Sequence, residues 1–198
     1  MQFERLAILD VVKIAPHRHR DQRGYFSEVF ADAWFRETVA DVSFVQDNQS
    51  LSIATATVRG LHFQLPPYEQ GKLVQCVDGA IFDVAVDIRP NSKTFGRWVA
   101  AELSAENGQQ LWIPPGFAHG FATLSARTLV QYKVTAPYSA HHDRGLAWDD
   151  PTVGISWPLG QADVVMSDKD RKLPDLAHVA SQLSVPLSTE RASACASL

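Results

Sequence analysis

The run Ala80-Ile81-Phe82-Asp83-Val84-Ala85-Val86-Asp87-Ile88 alternates in the way an extended strand requires. Successive side chains of a strand point to opposite faces, so Phe82, Val84, Val86 and Ile88 share one face and Ile81, Asp83, Ala85 and Asp87 the other. Arg89, Pro90 and Asn91 then stop it. Working outward, runs of the same kind, broken by Gly, Pro, Asp and Asn, lie at 11–15, 24–30, 42–47, 51–58, 72–77, 97–103, 109–113, 117–123 and 128–134. Together they make about ten strands, which predicts an all-β chain folded as a double-layered jelly roll. Helix is scarce. One short helix is expected over 32–39, with Trp34, Phe35 and Val39 as its apolar side, and another after Pro174, with Leu176, Ala177 and Ala180 toward the core.

The chain has 198 residues, of which 45% are hydrophobic and 20% charged. That is enough to bury one core, and the reading is a single domain over 1–183. The Ser- and Ala-rich stretch over 184–198 lacks the large side chains that enforce order and reads as a disordered tail. Five Trp require a sizeable core, and Trp98, Trp112, Trp148 and Trp157 read as core or interface residues. A net charge of -4 with scattered basic residues argues against a nucleic-acid partner. No apolar run reaches the roughly 18 to 20 residues that cross a bilayer, and the first ten residues do not read as a signal peptide. A cytoplasmic protein with no membrane partner is therefore expected. Cys76 and Cys195 stand far apart with no CxxC spacing, which disfavours a disulfide framework or a zinc knuckle.

Three segments carry the chemistry. They are Val58-Arg59-Gly60-Leu61-His62-Phe63-Gln64, Gln70-Gly71-Lys72-Leu73-Val74, and Ile113-Pro114-Pro115-Gly116-Phe117-Ala118-His119-Gly120-Phe121. Together they resemble the two cupin motifs. In metal-binding cupins the first motif offers His-x-His and a Glu seven positions before a Gly, and the second a His closing a Pro-x-Gly-x-x-His run. Here the second run is intact to His119, but Gln64 replaces the second His and Lys72 stands seven positions before Gly79 where the Glu would be. An ammonium repels a divalent ion and an amide is a poor ligand, so no metal is expected.

A fixed cation in that position can instead stabilise an enolate oxygen, which points to proton abstraction beside a carbonyl. His62 suits the base, since imidazole needs little tuning near neutral pH. A lone barrel histidine is ordinarily a hydrogen-bonded structural residue, but Arg59, Gln64 and Lys72 crowd this one with polar groups, as in a site. His17, His19, His141, His142 and His178 read as surface or loop residues. Asp83 either pairs inward with His119 or is an ordinary strand carboxylate.

The chain also resembles the dTDP-4-dehydrorhamnose 3,5-epimerase family, in order, over residues 3–175. The matching segments include Asp21-x-Arg23-Gly24-x-Phe26-x-Glu28, Phe44-Val45-Gln46-Asp47-Asn48-x-Ser50, Tyr132-Lys133 and Ser167-x-Lys169-Asp170, besides the three above. The resemblance implies a cofactor-free jelly-roll homodimer that inverts C3 and C5 of a dTDP-linked 4-keto-6-deoxyhexose. It makes His62 the base, Asp170 its carboxylate partner, Lys72 the enolate stabiliser and Tyr132 the opposing acid. Arg59 and His119 would complete the sugar and phosphate site. Arg23, Glu28, Gln46, Asp47 and Asn48 would contact the nucleotide, with Tyr138 as an aromatic platform and Gln64, Asp143 and Lys169 as further substrate contacts. The segment carrying Arg23 and Glu28 would reach into the partner's site.

Lys93 departs from the family where it has Pro, Asp143 where it has Glu, and Pro67 and Tyr68 alter the loop between Gln64 and Lys72. Relatives acting at one carbon, or moving the ketone, share this scaffold and form the alternative reading. A binding module without turnover and a metal dioxygenase are the readings from other classes.

Overall fold

The computed structural model describes residues 1–184. The tail expected over 184–198 therefore lies outside the described residues, except for Ser184 at the end of the last helix. Among the described residues the strands are β1 (Gln2–Arg5), β2 (Val12–Ala15), β3 (Arg18–Asp21), β4 (Gly24–Ser27), β5 (Gln46–Ser52), β6 (Val58–Gln64), β7 (Lys72–Asp78), β8 (Ala80–Asp87), β9 (Trp98–Ser104), β10 (Gln110–Ile113), β11 (Phe117–Thr123), β12 (Thr128–Val134) and β13 (Asp143–Gly145). Two helices, α1 (Asp32–Thr38) and α2 (Leu176–Ser184), flank them. One sheet runs β1-β2-β10-β7-β12-β5 and the other β13-β6-β11-β8-β9, while β3 and β4 form a separate hairpin. This is the jelly roll the alternation predicted. No helix of the described residues is long and apolar enough to cross a membrane.

Three apolar clusters follow from the strand period. Between the sheets, Val74, Ile81, Ala85, Leu103, Leu111 and Phe121 pack together. Outside the second sheet, Val84, Val86, Leu61 and Phe63 are covered by Leu176 and Val179 of α2 and by Leu146 and Val153. Outside the first sheet, Val12, Ile14, Leu73 and Trp112 are covered by Phe35 of α1. The strand quoted first thus buries both its faces, against different partners. The helix over 32–39 is found with Phe35 inward. In α2 the inward set differs from the expected one: Leu176 and Val179 are buried and Ala177 is exposed.

The strand assignment needs correction: β1, β3 and β13 are not among the expected runs, and the run at 24–30 ends as a strand at Ser27. Runs at 42–47 and 51–58 were expected, yet β5 crosses the gap between them and 53–57 form the turn. Gln46-Asp47-Asn48-Gln49-Ser50 lacks apolar residues but pairs with β12 throughout, from Gln46 opposite Val134 to Ser52 opposite Thr128. Its inward side chains are polar because they line a cavity, which defeats a search for apolar runs. The segment 58–64, read from sequence as a motif, is strand β6.

The pairing of β6 with β11 sets the site. His62 lies opposite His119 and Arg59 opposite Phe121, so three residue steps on β6 face two on β11. The extra residue is a β-bulge, and it re-aims the side chains that follow it. Without it, Arg59 and His62 would point to opposite faces; with it, both reach the interior. Two glycines make room. A Cβ on Gly60, whose φ is +110°, would sit 2.8 Å from the Gly120 Cα, and one on Gly120 would sit 2.6 Å from the Arg59 carbonyl oxygen. Gly120→Ala is therefore expected to cost about 1–3 kcal/mol in urea unfolding by forcing the strands apart. It should also lower turnover through displacement of His62.

Candidate active site

One end of the inter-sheet space is open and polar. A cavity of about 540 Å³ there is lined by Arg59, His62, Lys72, His119, Tyr132 and Asp170, among others. A second lobe of about 340 Å³ shares His62, Lys72, Tyr132 and Lys169 with it and adds Gln46, Asn48, Gln64, Tyr138 and Asp143. Together they form one cleft with a common wall. Tyr132 and Lys72 stand on the first sheet, whereas Arg59, His62 and His119 stand on the second.

The His62 ring is fixed through a long loop closure. Its Nε2 lies 2.8 Å from Asp170 Oδ1. The other carboxylate oxygen accepts from the Gly60 N–H at 3.2 Å, and the Asp170 N–H donates to Ser167 Oγ. Burial pushes the Asp170 carboxyl up, but bonding to and charge on His62, with the Gly60 and Ser167 bonds, hold it below its ordinary value. An ionised Asp170 accepts, so His62 carries its proton on Nε2 and leaves Nδ1 as the basic nitrogen. Asp170 is carried by a single 3-10 turn, Asp170–Lys172, brought to β6 by the parallel bridge of Thr57 with Val165.

Lys72 opens β7 with its side chain toward the interior, in line with Val74 and Cys76. Its ammonium donates to the His62 carbonyl at 3.2 Å. Burial pushes its pKa down to about 8, against the opposing pull of Asp83 and Asp143. His119 is buried with Nε2 2.7 Å from Asp83 Oδ1, so the inward pairing is the correct one of the two readings of Asp83. Burial drives the His119 pKa down against the Asp83 interaction, and Lys72 and His62 push it further the same way, leaving a neutral imidazole. Burial raises the Tyr132 phenol, only partly offset by Arg59, so the hydroxyl keeps its proton at neutral pH. Arg59 is tethered across the sandwich, from Nε to Ser52 Oγ and from Nη2 to the Leu51 carbonyl, both 3.0 Å.

The remaining candidates divide. Gln46 and Asn48 point inward from β5 and bond each other at 2.7 Å. Tyr138 stands on the rim, its N–H donating to Gln46 Oε1 and its hydroxyl to Asp143 Oδ2, which also pairs with Lys169. The short Asp143 side chain is therefore engaged within the rim. Asp47 lies on the opposite face of β5, where it binds Lys133 at 3.0 Å, because strand alternation turns it away from its neighbours. Arg23 and Glu28 are exposed on the β3–β4 arm, outside both lobes, and Arg23 pairs with Asp21. The cleft of one chain thus lacks three of the expected contacts. Gln64 lines the second lobe, with both amide protons and one lone pair taken by backbone groups.

Sequence reasoning did not select Ser50, Met166 or Phe121, which line the deep lobe. Ser50 continues the inward alternation of Gln46 and Asn48, a signal visible once that stretch is read as a strand. Two donors, a pre-oriented imidazole and a buried ammonium suit proton transfer beside a carbonyl.

A sequence profile of the dTDP-4-dehydrorhamnose 3,5-epimerases matches residues 5–178. The chain belongs to this family. It is 61% identical over 179 residues to the dTDP-4-dehydrorhamnose 3,5-epimerase of Sinorhizobium fredii, covering 90% of this chain and 91% of that one. The structure of the Legionella pneumophila 3,5-epimerase in complex with dTDP-4-keto-L-rhamnose superposes with a TM-score of 0.87 at 42% identity, covering 92% and 96% of the two chains. A 3′-monoepimerase from Streptomyces bikiniensis, in complex with dTDP-quinovose, gives a TM-score of 0.82 at 31% identity over 90% and 89%. This member of the epimerase family is an isomerase-type enzyme.

Asp170→Asn keeps the shape but presents an NH₂ or an un-ionised oxygen to His62 Nε2. Turnover should fall by about 10²–10⁴-fold with KM changed much less, as read from steady-state kinetics.

Proposed function

We propose that this enzyme inverts C3 and C5 of dTDP-4-keto-6-deoxy-D-glucose, giving dTDP-4-dehydro-L-rhamnose. His62 Nδ1 removes the proton from the carbon next to the C4 ketone. The bonding pair moves into the ring and the ketone oxygen becomes an enolate, which Lys72 holds by charge and hydrogen bonding. Tyr132 then donates its phenolic proton to the opposite face of that carbon as the ketone re-forms, and solvent restores both groups. The same cycle serves the second carbon. No cofactor takes part.

One observation carries this reading: base and acid stand on facing sheets of one cleft, with the buried Lys72 ammonium, common to both lobes, beside them. Inversion needs removal and delivery of a proton on opposite faces, and a base and an acid on one wall could not do both. His119, whose Nε2–H is held by Asp83, accepts from a sugar hydroxyl at Nδ1, Arg59 grips a phosphate oxygen, and the second lobe, with Gln46, Asn48 and Tyr138, takes the nucleotide. The β3–β4 arm delivers Arg23 and Glu28 to a second copy of the chain in a homodimer. Its exposed Tyr25, Phe26 and Val29, at 52%, 72% and 48%, support that docking. The single-carbon alternative has less support, since identity to the monoepimerase is half that to the S. fredii enzyme.

In ²H₂O, the enzyme with its keto-sugar substrate should place deuterium at both C3 and C5, read by NMR of the product. Exchange at neither carbon sinks the reading, and exchange at one transfers it to the single-carbon alternative. Because only the charged ammonium holds an enolate, kcat/KM should decline as pH rises, with a midpoint of about 8. Lys72→Met should remove that limb while lowering kcat by about 10²–10³-fold.

A further inference from the structure

Gln64 follows His62 by two positions on β6 and occupies the place where a metal-binding cupin has a ligand. Its side chain is buried, at 6% exposure. The amide nitrogen donates to the Tyr68 carbonyl at 2.6 Å and to the Pro137 carbonyl at 3.1 Å, and the amide oxygen accepts from the Ser139 N–H at 2.6 Å. A carboxamide has two protons and two lone pairs to offer, so one lone pair is all that is left. The groups it holds belong to two segments, the 65–70 loop and the 136–139 stretch, and Tyr138 sits between the two residues held on the second.

Other contacts join the same segments. Tyr68 stacks against His142 with ring centroids 4.6 Å apart, and Ser139 Oγ lies 2.8 Å from His142 Nδ1. Gln70 donates to the Ala136 carbonyl at 2.8 Å. Gln64 is the member of this set whose strand also carries the base. We propose that Gln64 is a positioning residue, a strut that fixes the Tyr138 rim relative to His62 and so sets the spacing between the nucleotide and the reacting sugar. The proposal rests on the reading of Tyr138 as the nucleotide platform. Its chemistry follows from geometry: two bonds on either side of Tyr138 hold the backbone that aims the ring, while the β6 backbone holds the imidazole two residues away.

The test compares Gln64→Met, Gln64→Glu, Tyr138→Ala and the Gln64→Met/Tyr138→Ala double variant by steady-state kinetics with the keto-sugar. Gln64→Met should raise KM roughly tenfold while kcat changes by less than about threefold, the signature of lost binding without lost chemistry. Gln64→Glu keeps an acceptor for Ser139 but turns a carboxylate toward two carbonyls, so its KM should also rise, and more at pH 8 than at pH 5. It carries the same criterion if the Met variant does not fold. The double variant should bind no worse than the weaker single variant, because the strut acts through the ring. Unchanged KM in both Gln64 variants, with KM raised in Tyr138→Ala, overturns the strut alone. Multiplying effects also overturn it, since they mark direct contact of Gln64 with substrate. Unchanged KM in Tyr138→Ala overturns the platform reading and the strut with it.

Discussion

One residue too many on β6 is the constraint on which the site depends. Strand alternation allows only every second side chain into the interior, and a regular β6 could not offer both Arg59 and His62 to the cleft. The bulge opposite Gly120 resets the alternation, after which His62 and Gln64 follow Arg59 inward. The reset needs close backbone approach, and the facing glycines permit it. Arg59, His62 and Gln64 thus all face the cleft from one seven-residue strand because its pairing is irregular.

Electrostatics follow from that placement. The inward groups are charged or polar in a space that is elsewhere a hydrophobic core, and burial is the main cause of the shifts at Lys72, His119 and Tyr132. Burial lowers the basic groups Lys72 and His119 and raises Tyr132, so an imidazole and a phenol are held neutral beside an ammonium brought closer to neutrality. Two carboxylates prevent the cost of burial from dispersing these groups. Asp83 holds His119 and Asp170 holds His62, at 2.7 and 2.8 Å. Asp83 keeps one oxygen without a hydrogen-bond partner, a buried charge placed where it opposes the loss of the Lys72 proton.

The layered fold was legible because alternation is a local property. The faces read from 80–88 are the two faces observed, Phe82, Val84, Val86 and Ile88 outside and Ile81, Asp83 and Ala85 inside. Polarity hid β5: apolar content was the signal sought, and a cavity wall lacks it. The deep site was legible as well, since His62, Lys72, His119, Tyr132 and Asp170 do converge. Contacts that depend on direction were not. Residue type alone cannot tell that Asp47 faces Lys133 outside the sheet, or that the Gln64 amide is spent on backbone. Arg23 and Glu28 lie beyond what a single chain can place in its own cleft.

The His62–Asp170 pair also has a history in time. Its members are 108 positions apart, and Asp170 reaches β6 only when the 165–170 segment settles beside Thr57. In chain order His62, Lys72 and every strand of the two sheets precede Asp170, so they are synthesised before the carboxylate. A chain that stops before Asp170 lacks the acceptor that fixes the His62 tautomer. The bond that orients the imidazole thus depends on a residue made after every strand of the two sheets, with α2 of the described fold still to follow.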